Sequence, residues 1–403
     1  MKKIFLNTVF VLFLGASSSA IGELYQPTNV DILNFQTQWL KKELDLNKER
    51  NLVISPVSLY HALALLGHGL NDGTLRLVME REKERFGSVQ KEPESNSEEK
   101  LLPADQANFR IQLPENMLSD GQVKISNSIW GNKFLSAYMH DVQTYLNAKA
   151  NQLPKNTSII NKWVEEKTEG KISNLLPQKE TKPLDLFLVN TVYFKADWVY
   201  EFDPKNTRKK TFLTPNGPVD VDMMFDKKRI DYFEDENMQA IRLPYLSDVD
   251  GEPSKHNMTF ILPKEGVDFN KFLSELKIQD FYLKFLENMP VRVHLPKFKL
   301  AYQPENMVDT LKKMGLESIF KEGAFKGSEN SATLMDVVHK SIISVDEQGT
   351  EAAAATAMYM LGSALSFELE RKEPYFIFKA DRPFLFMLDD GLFVGIVNDP
   401  TKD

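Results

Sequence analysis

The chain contains no cysteine. That excludes disulfide staples, thiolate metal sites and a catalytic thiol, so stability has to come from a packed core. Histidine is scarce. Its residues stand apart at positions 61, 68, 140, 256, 294 and 339, and no HExxH-type spacing joins them, so a zinc centre is not expected. Lysine and arginine form no dense basic block and the formal net charge is −8, which argues against nucleic acid as a partner. There is no glycine-rich phosphate loop and no nucleophile-with-base arrangement, so neither a cofactor nor an enzymatic activity is implied. Beyond the first twenty residues no apolar run reaches membrane-spanning length.

Those first residues, MKKIFLNTVFVLFLGASSSA, place two lysines before a short apolar run closed by small residues. The pattern predicts a secretory signal peptide over 1–20, cleaved after Ala20, and an extracellular protein. Residues 21–403 contain no linker or internal repeat and are expected to form one domain of mixed α and β structure. Hydrophobic residues make up 42% of the chain and Phe occurs 27 times, composition that suits a sheet-rich core. Asn156-Thr157-Ser158 and Asn257-Met258-Thr259 are glycosylation triplets, making Asn156 and Asn257 candidate acceptors.

Helical spacing of apolar residues predicts a helix over 31–45, and the run after Ser55 predicts a second, buried helix with Ser55 as its cap. Another helix is predicted over 161–170, and one over 306–320 ending near Gly315. LDLFLVNTVYFKADW is nearly continuous in apolar residues, as a central strand covered on both faces would be. Strands are also read in VKISNSIWGN, VRVHLPKFKLAYQ and HKSIISVDEQ. Asp389, Asp390 and Gly391 form a hairpin turn between PFLFML and LFVGIV. Residues 87–106 read as a solvated polar loop.

One stretch is at odds with its surroundings. Glu347-Gln348-Gly349-Thr350-Glu351-Ala352-Ala353-Ala354-Ala355-Thr356 continues directly from a strand, yet its alanines favour helix. One reading is a surface helix capped by Thr350. The other is a segment that changes state: as a strand, Thr350, Ala352, Ala354 and Thr356 share one face, all small, with Glu351 on the opposite face. Small side chains enter a crowded sheet with little overpacking.

Several segments in order decide between these readings. NLVISPVSL, INKWVEEKTEGKISNLLP with Asn161, Trp163 and Thr168, and LVNTVYFKADW with Asn190, Phe194 and Trp198 are followed by Phe202, Thr207 and Phe212. HLPKF, VHKSIISVDEQGTEAAAAT, FKADRPFLFML and LFVGIVNDP complete the set. From about Asp31 to Pro400 the chain resembles the serpin family of protease inhibitors. The resemblance implies an α+β fold with three β-sheets, about nine helices and an exposed reactive loop near the C-terminus, at about 347–372. The resemblance further implies that a protease would attack the loop and form an acyl-enzyme. The freed loop end, led by the hinge from Glu347 and Gly349 to Thr356, would then insert into the large sheet, leaving the protease trapped in a covalent complex. The chain would carry no catalytic residue of its own, and the native state would be kinetically held.

The same resemblance gives Ser55, Ser58, Asn190 and His339 control over sheet opening, although His339 could equally be a satisfied polar residue at a strand start. It pairs Glu347 with Lys297 near Trp198 at the top of the sheet. Family spacing from Glu347 puts the scissile bond at Ser363–Ala364, with Leu361, Gly362 and Leu365 as alternatives. Small and apolar residues there suit a serine protease with a shallow or apolar pocket and disfavour trypsin-like enzymes. A bond after Gly362 would place Leu361 for a papain-like cysteine protease. A non-inhibitory carrier, chaperone or storage member would carry bulkier residues in the hinge. Around Met79–Lys100, Arg81, Lys83 and Arg85 alternate with Glu80, Glu82 and Glu84, so no strong glycosaminoglycan binding is expected. The protein is expected to be a monomer.

Overall fold

The structure is a computed structural model that describes residues 24–25, 29–46, 49–70, 110–111, 122–146, 148–247, 253–275, 284–330, 332–350, 375–389 and 391–402. The polar segment 87–106 lies outside these residues. In chain order, β1 (Leu24–Tyr25), α1 (Asn29–Leu46), β2 (Leu52–Ile54) and α2 (Pro56–Gly67) come first. Then follow β3 (Arg110–Ile111), β4 (Val123–Gly131), α3 (Ser136–Leu146), β5 (Ala150–Gln152), α4 (Ser158–Lys167), β6 (Asp185–Phe194) and β7 (Ala196–Asp197). The middle of the chain holds β8 (Arg208–Thr214), β9 (Gly217–Glu234), β10 (Met238–Leu246), β11 (Pro253–Pro263) and α5 (Phe269–Glu275). Last come β12 (Leu286–Pro296), β13 (Phe298–Tyr302), α6 (Met307–Leu311), β14 (Thr333–Val345), β15 (Gly349–Thr350), β16 (Phe376–Lys379), β17 (Phe384–Leu388) and β18 (Phe393–Val397).

These strands build two large sheets, beside a two-stranded β1–β3 pair, and the fold is α+β. The seven-stranded sheet runs β5-β4-β6-β14-β15-β7, with β13 on β14. The nine-stranded sheet runs β16-β12-β9-β10-β11-β17-β18-β2, with β8 on β9. The expected central strand is β6, and all ten of its residues are buried. Period-two alternation explains how. Phe187 and Val189 face one cluster with Ile160 and Val164 of α4, while Leu186 and Leu188 face the opposite cluster with Leu59 and Leu63 of α2. Higher on the same strand, Val192 and Phe194 join Phe260, Phe384 and Phe386 between the two sheets.

Helix α2 is buried from Pro56 to Leu66, which matches its nearly unbroken apolar sequence. Pro56 stands in its first turn and Ser55 caps it, the Ser55 side chain accepting from Ser58 N–H at 3.3 Å. Helix α4 begins at Ser158 rather than Asn161 and ends before Gly170, whose φ of 77° is open to glycine. The helix predicted over 306–320 divides into three. The α-helical turn α6 is followed by a wider π turn over 312–316 and a tight 3₁₀ turn over Glu317–Phe320, because Gly315 sits at φ 90° within the run. The C-terminal hairpin pairs Phe384–Leu388 with Phe393–Val397, and Asp389 and Gly391 both take positive φ at the turn.

Candidate functional site

The site is a seam. Strands β6 and β14 run parallel and pair from Asp185–Thr333 up to Tyr193–Ile342, so below the top of the sheet they are directly bonded. Above that point the pairing changes. Val345 of β14 pairs with Thr350, while Thr350 and Gly349 pair with Ala196 and Asp197 of β7. The two-residue strand β15 therefore occupies a slot between the continuation of β6 and the end of β14. Thr350 is fully buried there, and its hydroxyl meets the Tyr245 hydroxyl at 2.6 Å. Gly349 has no room for a side chain: an added Cβ would lie 2.1 Å from the Ala196 carbonyl oxygen.

The turn from β14 into β15 is held at both ends. Glu347 accepts from Lys297 Nζ at 2.7 Å and from the Thr207 hydroxyl at 2.8 Å. Burial opposes ionisation of this carboxyl, but Lys297 and Thr207 outweigh it and hold its pKa below the usual carboxylate range. Trp198 Nε1 donates to the Asp346 carbonyl at 3.1 Å, and its ring stacks on Tyr245 at 4.3 Å. The backbones of Trp198 and Phe202 donate to the Gln348 and Glu347 carbonyls at 2.7 and 2.8 Å. The three residues Trp198, Lys297 and Glu347 that the resemblance grouped together are one assembly around the turn from β14 into β15.

Midway down the seam lies the second predicted group. Asn190 of β6 is in register with His339 of β14, and Asn190 Oδ1 hydrogen-bonds His339 Nδ1 across the strand pair. Asn190 Nδ2 donates to the Ser58 carbonyl and hydroxyl at 2.8 and 2.6 Å, and to Asn127 Oδ1 on β4. His339 Nε2 accepts from Ser55 N–H at 3.4 Å and lies 2.7 Å from the Ser341 hydroxyl. Nε2 is then an acceptor and the ring proton sits on Nδ1, toward Asn190. Burial lowers the His339 pKa to about 3, so the imidazole is neutral. His339 is a buried side chain with hydrogen-bond partners at both ring nitrogens, and it bridges β6 and β14.

Sequence reasoning missed Lys228. This lysine lies in β9 with its side chain almost fully buried. Its ammonium donates to the Tyr200 and Glu201 carbonyls at 2.6 and 2.9 Å, stands 4.1 Å from the Phe202 ring centre and reaches Asp226 at 3.3 Å. It pins the segment whose amides hold Gln348 and Glu347. The signal was present as parity: Met224, Lys228, Ile230 and Tyr232 are all buried positions of one strand with Lys227 and Arg229 exposed between them.

The remaining predicted residues are more dispersed. Asn156 is half-buried, its side chain accepts from Ser158 N–H at 2.8 Å, and Thr157 is buried on the Pro177 carbonyl. Asn257 lies within β11, half-buried, with Thr259 buried beside it. Glu351, Ala352, Ala353, Ala354, Ala355 and Thr356 of the hinge, and Leu361, Gly362, Ser363, Ala364 and Leu365 around the proposed bond, lie outside the described residues. So does the arginine–glutamate stretch 80–85. Among the described residues no group of three or more histidine or acidic side chains could hold a metal ion, and no helix is long and apolar enough to cross a membrane.

Comparison with known proteins agrees with this geometry. Residues 32–400 match the family model described as serpin (serine protease inhibitor). An uncharacterized serpin-like protein of Thermococcus kodakarensis is 35% identical over 394 residues, covering 92% of this chain and 85% of the relative. Solved structures share the fold. Serpin48 of the insect Tenebrio molitor superposes with a TM-score of 0.69 at 23% identity, covering 92% of this chain and 97% of the other. Human thyroxine-binding globulin with bound thyroxine also gives 0.69, at 22% identity, covering 92% and 98%. The chain belongs to the serpin family, whose members are not themselves enzymes.

Proposed function

We propose that this protein is a secreted, monomeric suicide-substrate inhibitor of proteases. The target cleaves the reactive loop, the acyl-enzyme forms, and the hinge inserts between β6 and β14 before water releases the protease. One observation carries this reading. Gly349 and Thr350 already sit as strand β15 between β7 and β14, above a seam that is closed below them. Each further hinge residue that enters must separate another pair of β6 and β14 residues. The small side chains on the Thr350 face suit that path.

The scissile bond is assigned to Ser363–Ala364, with Leu361, Gly362 and Leu365 as the alternative positions. The preferred target is a serine protease that accepts small or apolar residues, and papain-like cysteine proteases are the alternative. Residues 1–20 are the signal peptide, 21–403 the inhibitor domain, and Asn156 and Asn257 the glycosylation candidates. The reading includes the family's three sheets and about nine helices, while the strands of the described residues join into two large sheets and a two-stranded pair. Thyroxine-binding globulin shares the fold, so the fold by itself does not separate inhibitor from carrier. The small residues of the hinge favour the inhibitor, and a non-inhibitory carrier, chaperone or storage role is the alternative.

The test is incubation of the full mature chain with elastase, chymotrypsin, subtilisin and papain. A denaturant-resistant complex is expected, with release of a C-terminal peptide beginning at Ala364. Proteases that cleave the loop and leave with full activity would overturn the trapping mechanism. For papain, whose thioester is labile, residual activity replaces the gel as the readout.

A further inference from the structure

The outer face of β9, β12 and β16 gathers cations in a protein whose net charge is −8. Strand register sets them in rows. Lys227 of β9 faces Arg292 of β12, which faces Ile377 of β16, and the next row is Phe225, His294 and Lys379. Arg229 follows on β9, opposite Pro290. Lys227, Arg229, Arg292 and Lys379 are all exposed. Lys227 and Arg292 are like charges directly opposite each other in an antiparallel pair, an arrangement that costs stability. They share the Tyr375 ring, at 5.6 and 5.2 Å from its centre, and neither makes an ion pair among the described residues. The field is felt locally: burial lowers the His294 pKa first, and Lys379, Lys210 and Arg292 add to it against Asp381. Asp381 is itself held by Lys379 at 2.7 Å and Arg382 at 2.9 Å.

Two further features indicate what this face meets. It is apolar as well as basic, with Ile377 53% and Tyr375 42% exposed, which suits a protein surface better than a sugar polyanion. It also begins at Tyr375, immediately after residues 351–374, the segment proposed to carry the scissile bond. A protease that attacks that segment is joined to this face by the chain that continues into Tyr375.

We propose that the outer face of β9, β12 and β16 is a docking surface for an acidic patch on the attacking protease. The proposal rests on the inhibitory reading above and deepens it. The loop sequence sets which peptide bond is accepted, and the basic face sets how fast the enzyme with a matching surface arrives. A like-charge pair that weakens the fold is retained because it faces a partner.

The test uses the mature full-length protein and whichever protease of the panel is trapped fastest. In Lys227→Gln/Arg292→Gln the association rate constant at 50 mM NaCl is expected to fall roughly tenfold, with its salt dependence flattened. The inhibitor-to-protease stoichiometry should stay unchanged and the melting temperature unchanged or raised, since the like-charge pair is relieved. Lys271→Gln/Lys313→Gln, on exposed lysines elsewhere, should match the wild type. A protease trapped at the same rate by both variants would overturn the docking surface and leave the inhibitory reading intact. If no protease is trapped, both fall together. If heparin–agarose retains the wild type but not the variant, with association rates equal, the face serves a polyanion and the proposal is wrong.

Discussion

Asn190 and His339 stand opposite each other on β6 and β14, and their side chains hydrogen-bond across the strand pair that hinge insertion would have to part. The same asparagine reaches Ser58 on α2 and Asn127 on β4, so the seam is fastened to the helix beneath it and to the next strand. Asn190→Ala leaves the His339 Nδ1–H buried without an acceptor. The expected loss of stability is about 2–3 kcal/mol. His339→Ala should cost a similar amount, and the double variant should cost less than the sum, since the pair is lost only once. Urea midpoints of the four proteins measure this, and strict additivity would show that the seam contact carries no coupling.

The buried imidazole also sets an acid sensitivity. His339 is neutral in the native state, with its pKa lowered from the usual 6.5 to about 3 by burial, and His61 on α2 is lowered likewise to about 3. Between pH 6.5 and 3 the unfolded chain binds protons at these positions and the native one does not. Stability therefore rises with pH across that window and is lost as pH falls, by about 1.4 kcal/mol per pH unit for each such histidine. His339→Asn should lower stability at pH 7.5 yet show a shallower loss between pH 6 and 4.5. Parallel curves for variant and wild type would mean that His339 is not the group responsible.

Asn190, His339, Glu347 and Lys297 were placed at the seam by the family resemblance, because their partners lie far away along the chain; what the residues alone made legible is local. Ser55 reads as a cap from its place before Pro56, and β6 reads as a central strand because both its faces are apolar. Lys228, Tyr245 and the division of 306–320 were not legible. Lys228 is informative only once Tyr200 and Glu201 are brought over it from another part of the chain. Tyr245 matters through Thr350, more than a hundred positions away. Helix α3 was overlooked because it buries only Tyr138 and Val142, too little apolar surface to mark a periodic face.

Glu347 tests how firmly the hinge is anchored. Lys297 is 40% exposed, so the ion pair is partly screened and should contribute no more than about 1 kcal/mol. Glu347→Gln keeps an acceptor for Thr207 and should lower the melting temperature only slightly. Lys297→Met added to it should have almost no further effect. A large additional loss would show that Lys297 acts on something other than Glu347.

Thr350 separates cleavage from trapping. Its side chain is buried between β7 and β14 against Tyr245, and arginine cannot occupy that slot without carrying an unpaired charge into it. Thr350→Arg is expected to expel β15 and slow insertion, so that the protease deacylates first. The loop should be cut at wild-type rates while the stoichiometry of inhibition rises several-fold. Thr350→Val, of matched size, should trap normally, though without the Tyr245 hydrogen bond its melting temperature should fall. If Thr350→Arg traps at wild-type stoichiometry, insertion does not pass through this slot.

Lys228 makes the strongest demand on the geometry of the sheet top. Its ammonium satisfies two carbonyls of the segment between Trp198 and Phe202, whose amides donate to Gln348 and Glu347 respectively. Burial lowers its pKa, and Asp226 and Glu201 oppose the shift. Lys228→Met preserves the packing on Phe202 but leaves both carbonyls unpaired, at an expected cost of about 2–3 kcal/mol. The loss should be local as well as global. Amide hydrogen exchange should accelerate at Trp198 and Phe202 more than at Leu188, lower on the same strand system. Exchange accelerated equally at all three would reduce Lys228 to an ordinary core residue with no particular hold on the hinge.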